Sequence, residues 1–153
     1  MAEQTEPTLI EVGERLARTV RYSREDIAAF ATLSLDENPL HLDTKVAQRA
    51  RFGEIIASGQ HTAAGMMGLL ATHFSRSVDG VARQMLCLNM NFSFKGPVFA
   101  DQNLLLQWQV SNVEWSSKLH GQLGHLDGTA AVGRGKPVVI ARGTILVTKA
   151  LAC

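Results

Sequence analysis

The chain has 153 residues, with 15 lysines and arginines against 14 aspartates and glutamates, a formal net charge of +1. That length suits a single domain and can bury a core without disulfide or metal staples. At 46% hydrophobic and 19% charged residues it lies near the globular norm, which excludes intrinsic disorder, and its charge leaves no electrostatic footprint for nucleic acid or a membrane surface.

Residues 1–9 are polar and acidic and predict a flexible tail ahead of one domain over 10–153. They have neither the basic start nor the apolar core of a signal peptide. Alternation of Leu16, Val20 and Tyr22 predicts a strand over 15–22. Ser23 and Asp26 then form a capping box, and Ile27, Phe30 and Ala31 at helical spacing carry a short helix to about Ser34. Pro39 stops any helix and Asn38-Pro39 turns the chain, so 36–43 is expected to be an irregular loop. A small helix carrying Val46 and Ala47 is expected after Asp43.

Residues 60–74 are the most clearly marked helix. Ala63, Met67, Leu70 and Phe74 make one apolar stripe, and Ala64, Gly68 and Ala71 an adjoining one. A helix apolar on nearly every side is expected to be buried along most of its length. The remainder reads as strand. Residues 85–94 alternate, with Leu86, Leu88, Met90, Phe92 and Phe94 on one face, and 104–113, 119–132 and 138–147 follow after Gly-, Asp- and Ser-rich turns. A buried helix beside long antiparallel strands predicts an α+β domain with the sheet wrapped round the helix.

The longest apolar run, 63–71, is about nine residues, short of the ~20 a membrane span needs. Of the two cysteines, Cys87 lies in an apolar strand and Cys153 ends the chain. With no CxxC they suit a reduced compartment, one as a core thiol and one as a tail thiol. A cytoplasmic protein is expected.

Two short segments carry chemistry. Asp36 and His41 are five residues apart, too far to share a helix face, but the turn at Pro39 can bring them to one point. A carboxylate beside an imidazole can hold a water, take a proton from it and return one elsewhere. The plainer alternative is an Asx-type turn at Asp36 and an ordinary loop histidine at His41. Ser58-Gly59 opens the long helix, where unpaired N–H groups and the positive dipole end suit a developing oxyanion. Glycine lets a ligand approach its own N–H, although Ser58 can be simply the helix cap and Gly59 a tight turn.

Taken together, Asp36-x-Asn38-Pro39-x-His41-x-Asp43 and Phe52-Gly53-x-x-Ile56-Ala57-Ser58-Gly59 resemble the MaoC-like (R)-specific enoyl-CoA hydratase family. Phe94-Lys95-Gly96-Pro97-Val98, with Asp101 after it, is similar to a third family segment. The resemblance runs from about Glu11 to Val147. It implies the hot-dog fold, a long helix wrapped by an antiparallel sheet, and a homodimer or dimer-based oligomer with acyl thioesters bound between subunits. It implies Asp36 and His41 as the catalytic pair, Gly59 as the donor to the thioester carbonyl, and Asn38 as a residue shaping the loop. Substrate contacts are expected at Asn38, Ser58, Gly59 and His61, the last as a polar group near the mouth.

Two departures stand out. Leu35 occupies a position that is typically Gly, and Ser58 one that is more often His; Ser58-Gly59-Gln60-His61-Thr62 resembles a MaoC-like dehydratase subgroup. The activity implied is interconversion of trans-2-enoyl and 3-hydroxyacyl thioesters, with coenzyme A arriving as part of the substrate and no separate cofactor or metal. A non-catalytic acyl-thioester-binding subunit is the alternative. A thioesterase is disfavoured because residues 60–74 contain neither Asp nor Glu. His73 is expected at a helix end, His120 and His125 on solvent-facing strands, and Trp108 and Trp115 in sheet packing.

Overall fold

The computed structural model describes residues 8–151. In chain order the elements are β1 (Arg15–Arg21), α1 (Arg24–Leu33), a 3-10 turn (Pro39–His41), α2 (Thr44–Arg49), α3 (Gly59–Phe74), β2 (Arg83–Phe94), β3 (Asn103–Ser116), β4 (Gly121–Val132) and β5 (Pro137–Lys149). The strands form one five-stranded antiparallel sheet in the order β1-β3-β4-β5-β2, and α3 packs across it, touching β1, β2, β3 and β4. This is the hot-dog arrangement that the sequence resemblance implies. Local signals place its parts: the capping box forms, Ser23 accepting from the Asp26 N–H and Asp26 from the Ser23 N–H.

Leu104, Leu106, Trp108 and Val110 of β3 face the helix with Leu126 and Ala130 of β4. The Trp108 Nε1–H donates to the Met66 carbonyl of α3 at 2.9 Å, so a single residue packs the sheet and locks the helix to it. At the far end of α3, the buried Arg83 guanidinium donates to the carbonyls of His73, Arg76 and Leu9. These bonds satisfy the helix C-terminus and tie the start of the chain to it.

Several expectations need correcting. Only residues 1–7 of the predicted tail lie outside the described part; Leu9 is buried, and its N–H is taken by the Gln122 side chain. Helix α3 is not buried all round. Its covered face is Thr62, Met66, Leu69, Leu70 and Phe74, whereas Ala64 and Ala71 are exposed and Gly68 has open space beside it. One sheet covers one side of a helix: of the first stripe Leu70 and Phe74 are buried and Ala63 and Met67 half-buried, whereas the adjoining stripe faces outward. In β2 a bulge between Cys87 and Asn89 turns the alternation over. Leu86 therefore lies on the opposite face from Met90, Phe92 and Phe94. Cys87 is exposed because β2 is the sheet edge, and Cys153 lies outside the described residues. His120 sits in the β3–β4 turn at φ 52°, not in a strand.

Leu35 is the most informative local feature. It follows α1 in the left-handed region, φ 59°, and is 87% exposed. The Asp36 N–H bonds back to the Ala31 carbonyl at 2.8 Å, closing the helix as a Schellman-type cap. The backbone thus adopts the conformation glycine prefers, although leucine stands there, at a cost of roughly 1–2 kcal/mol. Leu35→Gly is expected to stabilise the fold by about 1 kcal/mol after the extra freedom of the unfolded chain is counted, a Tm rise of roughly 2–4 °C. An unchanged or lower Tm would mean that the strain is relieved by the leucine side chain.

Candidate active site

The loop after α1 is built from side-chain caps. Asp36 Oδ1 accepts from the Asn38 N–H at 3.0 Å, and Asn38 Oδ1 from the Leu40 N–H at 3.1 Å, opening the 3-10 turn that ends at His41. Asp43 caps α2 in the same way. The bland reading of Asp36 as a turn-former is therefore right for one oxygen. The other points elsewhere: Asp36 Oδ2 lies 3.4 Å from His41 Nε2.

His41 is buried, at 6% exposure. Its Nδ1 lies 2.7 Å from the Ile56 carbonyl, and since that oxygen only accepts, Nδ1 carries a proton and donates it. Nε2 is left as the nitrogen that can gain or lose a proton towards Asp36. Two further backbone bonds fix the frame. The Ile56 N–H donates to the Leu40 carbonyl at 3.3 Å, and the Ala57 N–H to the Val98 carbonyl at 2.8 Å. The three sequence segments are thus joined, with 55–58 stitched on one side to the Asp36–His41 loop and on the other to the Pro97-Val98 turn.

Ser58 follows, buried, and caps α3 by accepting from the His61 N–H at 3.3 Å. Gly59 is the first helical residue, so its own N–H has no carbonyl within the helix to bond. An ideal Cβ on Gly59 would lie 2.8 Å from the Phe94 ring. The ring closes over the helix start, and only glycine leaves the close approach open.

These residues share one cavity of about 680 Å³. Asp36, Asn38, His41, Ser58 and Gly59 line it, with Phe52, Phe94 and Val98 as its apolar wall and Arg51 and Lys95 as basic groups. The volume falls within the ~300–1,000 Å³ common for small-molecule sites. His61 does not line it. The His61 ring is stacked between Tyr22 and Phe30, with centroids 3.9 and 4.4 Å away, and its Nδ1 is buried without a hydrogen-bond partner. Burial lowers its pKa, opposed by the Asp26 charge, so the stack favours the neutral ring.

The model of the MaoC like domain family matches residues 7–145. This chain belongs to the MaoC-like family. It is 32% identical over 102 residues to the "(R)-specific enoyl-CoA hydratase" of Aeromonas caviae, covering 67% of this chain and 72% of that one. To a mitochondrial "3-hydroxyacyl-[acyl-carrier-protein] dehydratase" of Arabidopsis thaliana it is 31% identical over 98 residues, covering 64% of this chain and 54% of that one. Among solved structures, the (R)-hydratase from A. caviae superposes with a TM-score of 0.76 at 26% identity, covering 89% of this chain and 96% of that one. A MaoC-like dehydratase from Rhodospirillum rubrum gives 0.75 at 26%, covering 94% and 96%.

Within this MaoC-like chain, a histidine beside a carboxylate does not by itself mark the site. His73 Nε2 lies 2.6 Å from Glu14, and His125 Nε2 lies 3.1 Å from Glu114 while its Nδ1 meets Thr144 at 3.1 Å. His125 is therefore engaged on the outer sheet face rather than simply solvated. Neither pair lines the cavity, and neither has a helix start beside it. Among the cavity residues to which the sequence assigned no role is Gln60, whose side chain reaches Asp36. Its only sequence signal is its place directly after Gly59. Among the described residues, no group of three or more His, Cys, Asp or Glu side chains is arranged to hold a metal, and no helix is long and apolar enough to cross a membrane.

Proposed function

We propose that this protein interconverts trans-2-enoyl and 3-hydroxyacyl thioesters by adding or removing water at the Asp36–His41 pair. The observation that carries the reading is the placement of Asp36 Oδ2 3.4 Å from His41 Nε2, in a cavity that also holds the free helix start at Gly59. The names of the relatives in A. caviae and Arabidopsis point to the same reaction class.

In the hydration direction, a water sits between Asp36 and the imidazolium form of His41. Asp36 takes one of its protons as the water oxygen bonds to C3, and His41 Nε2–H delivers a proton to C2. The C2–C3 double bond opens, and the negative charge that develops on the thioester oxygen meets the Gly59 N–H at the positive end of α3. A proton then passes from Asp36 to His41 across the short gap and restores the pair. Atoms and charge balance with water as the only co-reactant, so the reading calls for no separate cofactor; coenzyme A or a carrier protein enters as part of the substrate.

The two sequence departures do not argue for an inactive binding subunit. Leu35 takes the backbone conformation of the glycine it replaces, and Ser58 is occupied in capping. The test is a panel of enoyl- and 3-hydroxyacyl-CoA thioesters followed in both directions. Saturable turnover of at least one chain length supports the reading; tight binding with no turnover across the panel overturns it.

The same reading includes a homodimer. Strand β2 presents an unpaired edge of 12 residues, with Leu86 62% and Leu88 46% exposed. The Ala64–Gly68–Ala71 side of α3, which points away from the sheet, is uncovered as well. Such an edge invites a second strand. Sedimentation at micromolar concentration is expected to give a dimer or a multiple of it, and a stable monomer there would remove the subunit-interface site.

A further inference from the structure

Asp36 is gripped from two sides. Its Oδ1 takes the Asn38 N–H, and its Oδ2 takes the Gln60 Nε2–H at 3.0 Å. A carboxylate only accepts, so the Gln60 amide must turn its NH₂ to Asp36 and its oxygen away. The same nitrogen reaches Ser34 Oγ at 3.3 Å, while the Ser34 hydroxyl donates to the Phe30 carbonyl at 2.7 Å and so is free to accept. Both amide hydrogens are used, and through them the first turn of α3 holds the end of α1 and the carboxylate together. Gln60 is also the residue directly after Gly59.

We propose that Gln60 is a positioning residue that aims Asp36. By occupying one lone pair of Oδ2, it leaves the other facing His41, and it ties the proton acceptor to the helix turn that carries the carbonyl donor. The two groups that act on opposite ends of the enoyl system are then fixed relative to each other by a single side chain. The proposal rests on the hydratase reading above.

The test uses the full chain and one enoyl-CoA substrate. Gln60→Met keeps length and removes both donors. It is expected to lower kcat by roughly 10- to 100-fold, the scale of a misplacement of about 1 Å, with KM within about twofold. Gln60→Glu places a second carboxyl against Asp36. While the two share one proton, the new O–H can donate as the amide did; once that proton is lost, the carboxylates repel. Its kcat is expected to fall as pH rises by more than any decline that wild type and Gln60→Met share through His41. A role confined to folding would not produce that pH dependence. Full kcat in Gln60→Met with an active wild type overturns the clamp and leaves the hydratase reading standing. If wild type turns over no thioester, the reading of the reaction falls, and the clamp is judged on melting temperatures of Gln60→Met, Asp36→Ala and the double variant. A double variant no less stable than Asp36→Ala supports it, and strictly additive losses overturn it.

Discussion

Asp36→Asn and His41→Ala are each expected to cut turnover by ~100-fold or more, the scale of a positioned acid or base. Asparagine keeps an oxygen for the Asn38 N–H but presents an NH₂ either to Gln60 or to His41, where an acceptor is needed. Alanine at His41 removes Nε2 and also leaves the Ile56 carbonyl without its donor. That variant should therefore lose about 1–3 kcal/mol of stability as well, whereas Asp36→Asn, at a partly open site, should melt near wild type. On the proposal that both groups act on one water, the double variant should be little worse than either single one. Initial hydration rates of the three variants, with melting curves alongside, check this. Losses that multiply would mean that the two residues serve separate steps.

Gly59→Ala is expected to lower kcat/KM by on the order of 10- to 1000-fold, the upper end being the loss of one oxyanion donor. Backbone strain is not the cause, since Gly59 is not among the glycines with positive φ. The new methyl would stand 2.8 Å from the Phe94 ring, and that ring, 53% exposed, can swing away into the cavity mouth. The fold should survive with a small change in Tm, and the approach to the amide should close. Ser58→Ala is the control. It removes the cap on the His61 N–H, should cost about 1 kcal/mol, and should spare most of the activity. Full activity in Gly59→Ala beside a folded but inactive Ser58→Ala would move the carbonyl site to Ser58.

Much of the candidate site's geometry was legible because its residues do local work with a sequence signature. Asp36, Asn38 and Asp43 each cap a backbone N–H two or three residues on, and Pro39 starts the turn between them. Local chemistry of that kind can be read from spacing. Gln60 was not legible, because its partners Ser34 and Asp36 lie 26 and 24 residues away and a glutamine in a first helical turn looks like any solvated one. His61 shows the reverse error. Its position at the helix start suggests the mouth of the site, but Tyr22 and Phe30 enclose its ring from elements far back in the chain.

What the amino-acid order determined by itself is the kind and sequence of elements: one capped short helix, a turn at Asn38-Pro39, one long helix and four long strands after it. Propensity, caps and breakers act over a few residues, and they suffice for that. Which side of α3 is covered, where β2 reverses its alternation and which edge stays open were decided only by tertiary structure. The covered side is the one that meets Trp108 and Leu106 across the sheet, and no periodicity along the helix records the direction from which the sheet comes. The bulge at Cys87/Asn89 arises from pairing with β5, more than fifty residues further on. The meeting of Asp36, His41 and Gly59 depends in turn on the Ile56 and Ala57 hydrogen bonds to Leu40 and Val98. Those bonds cost chain entropy to close and are repaid only when the surrounding core forms.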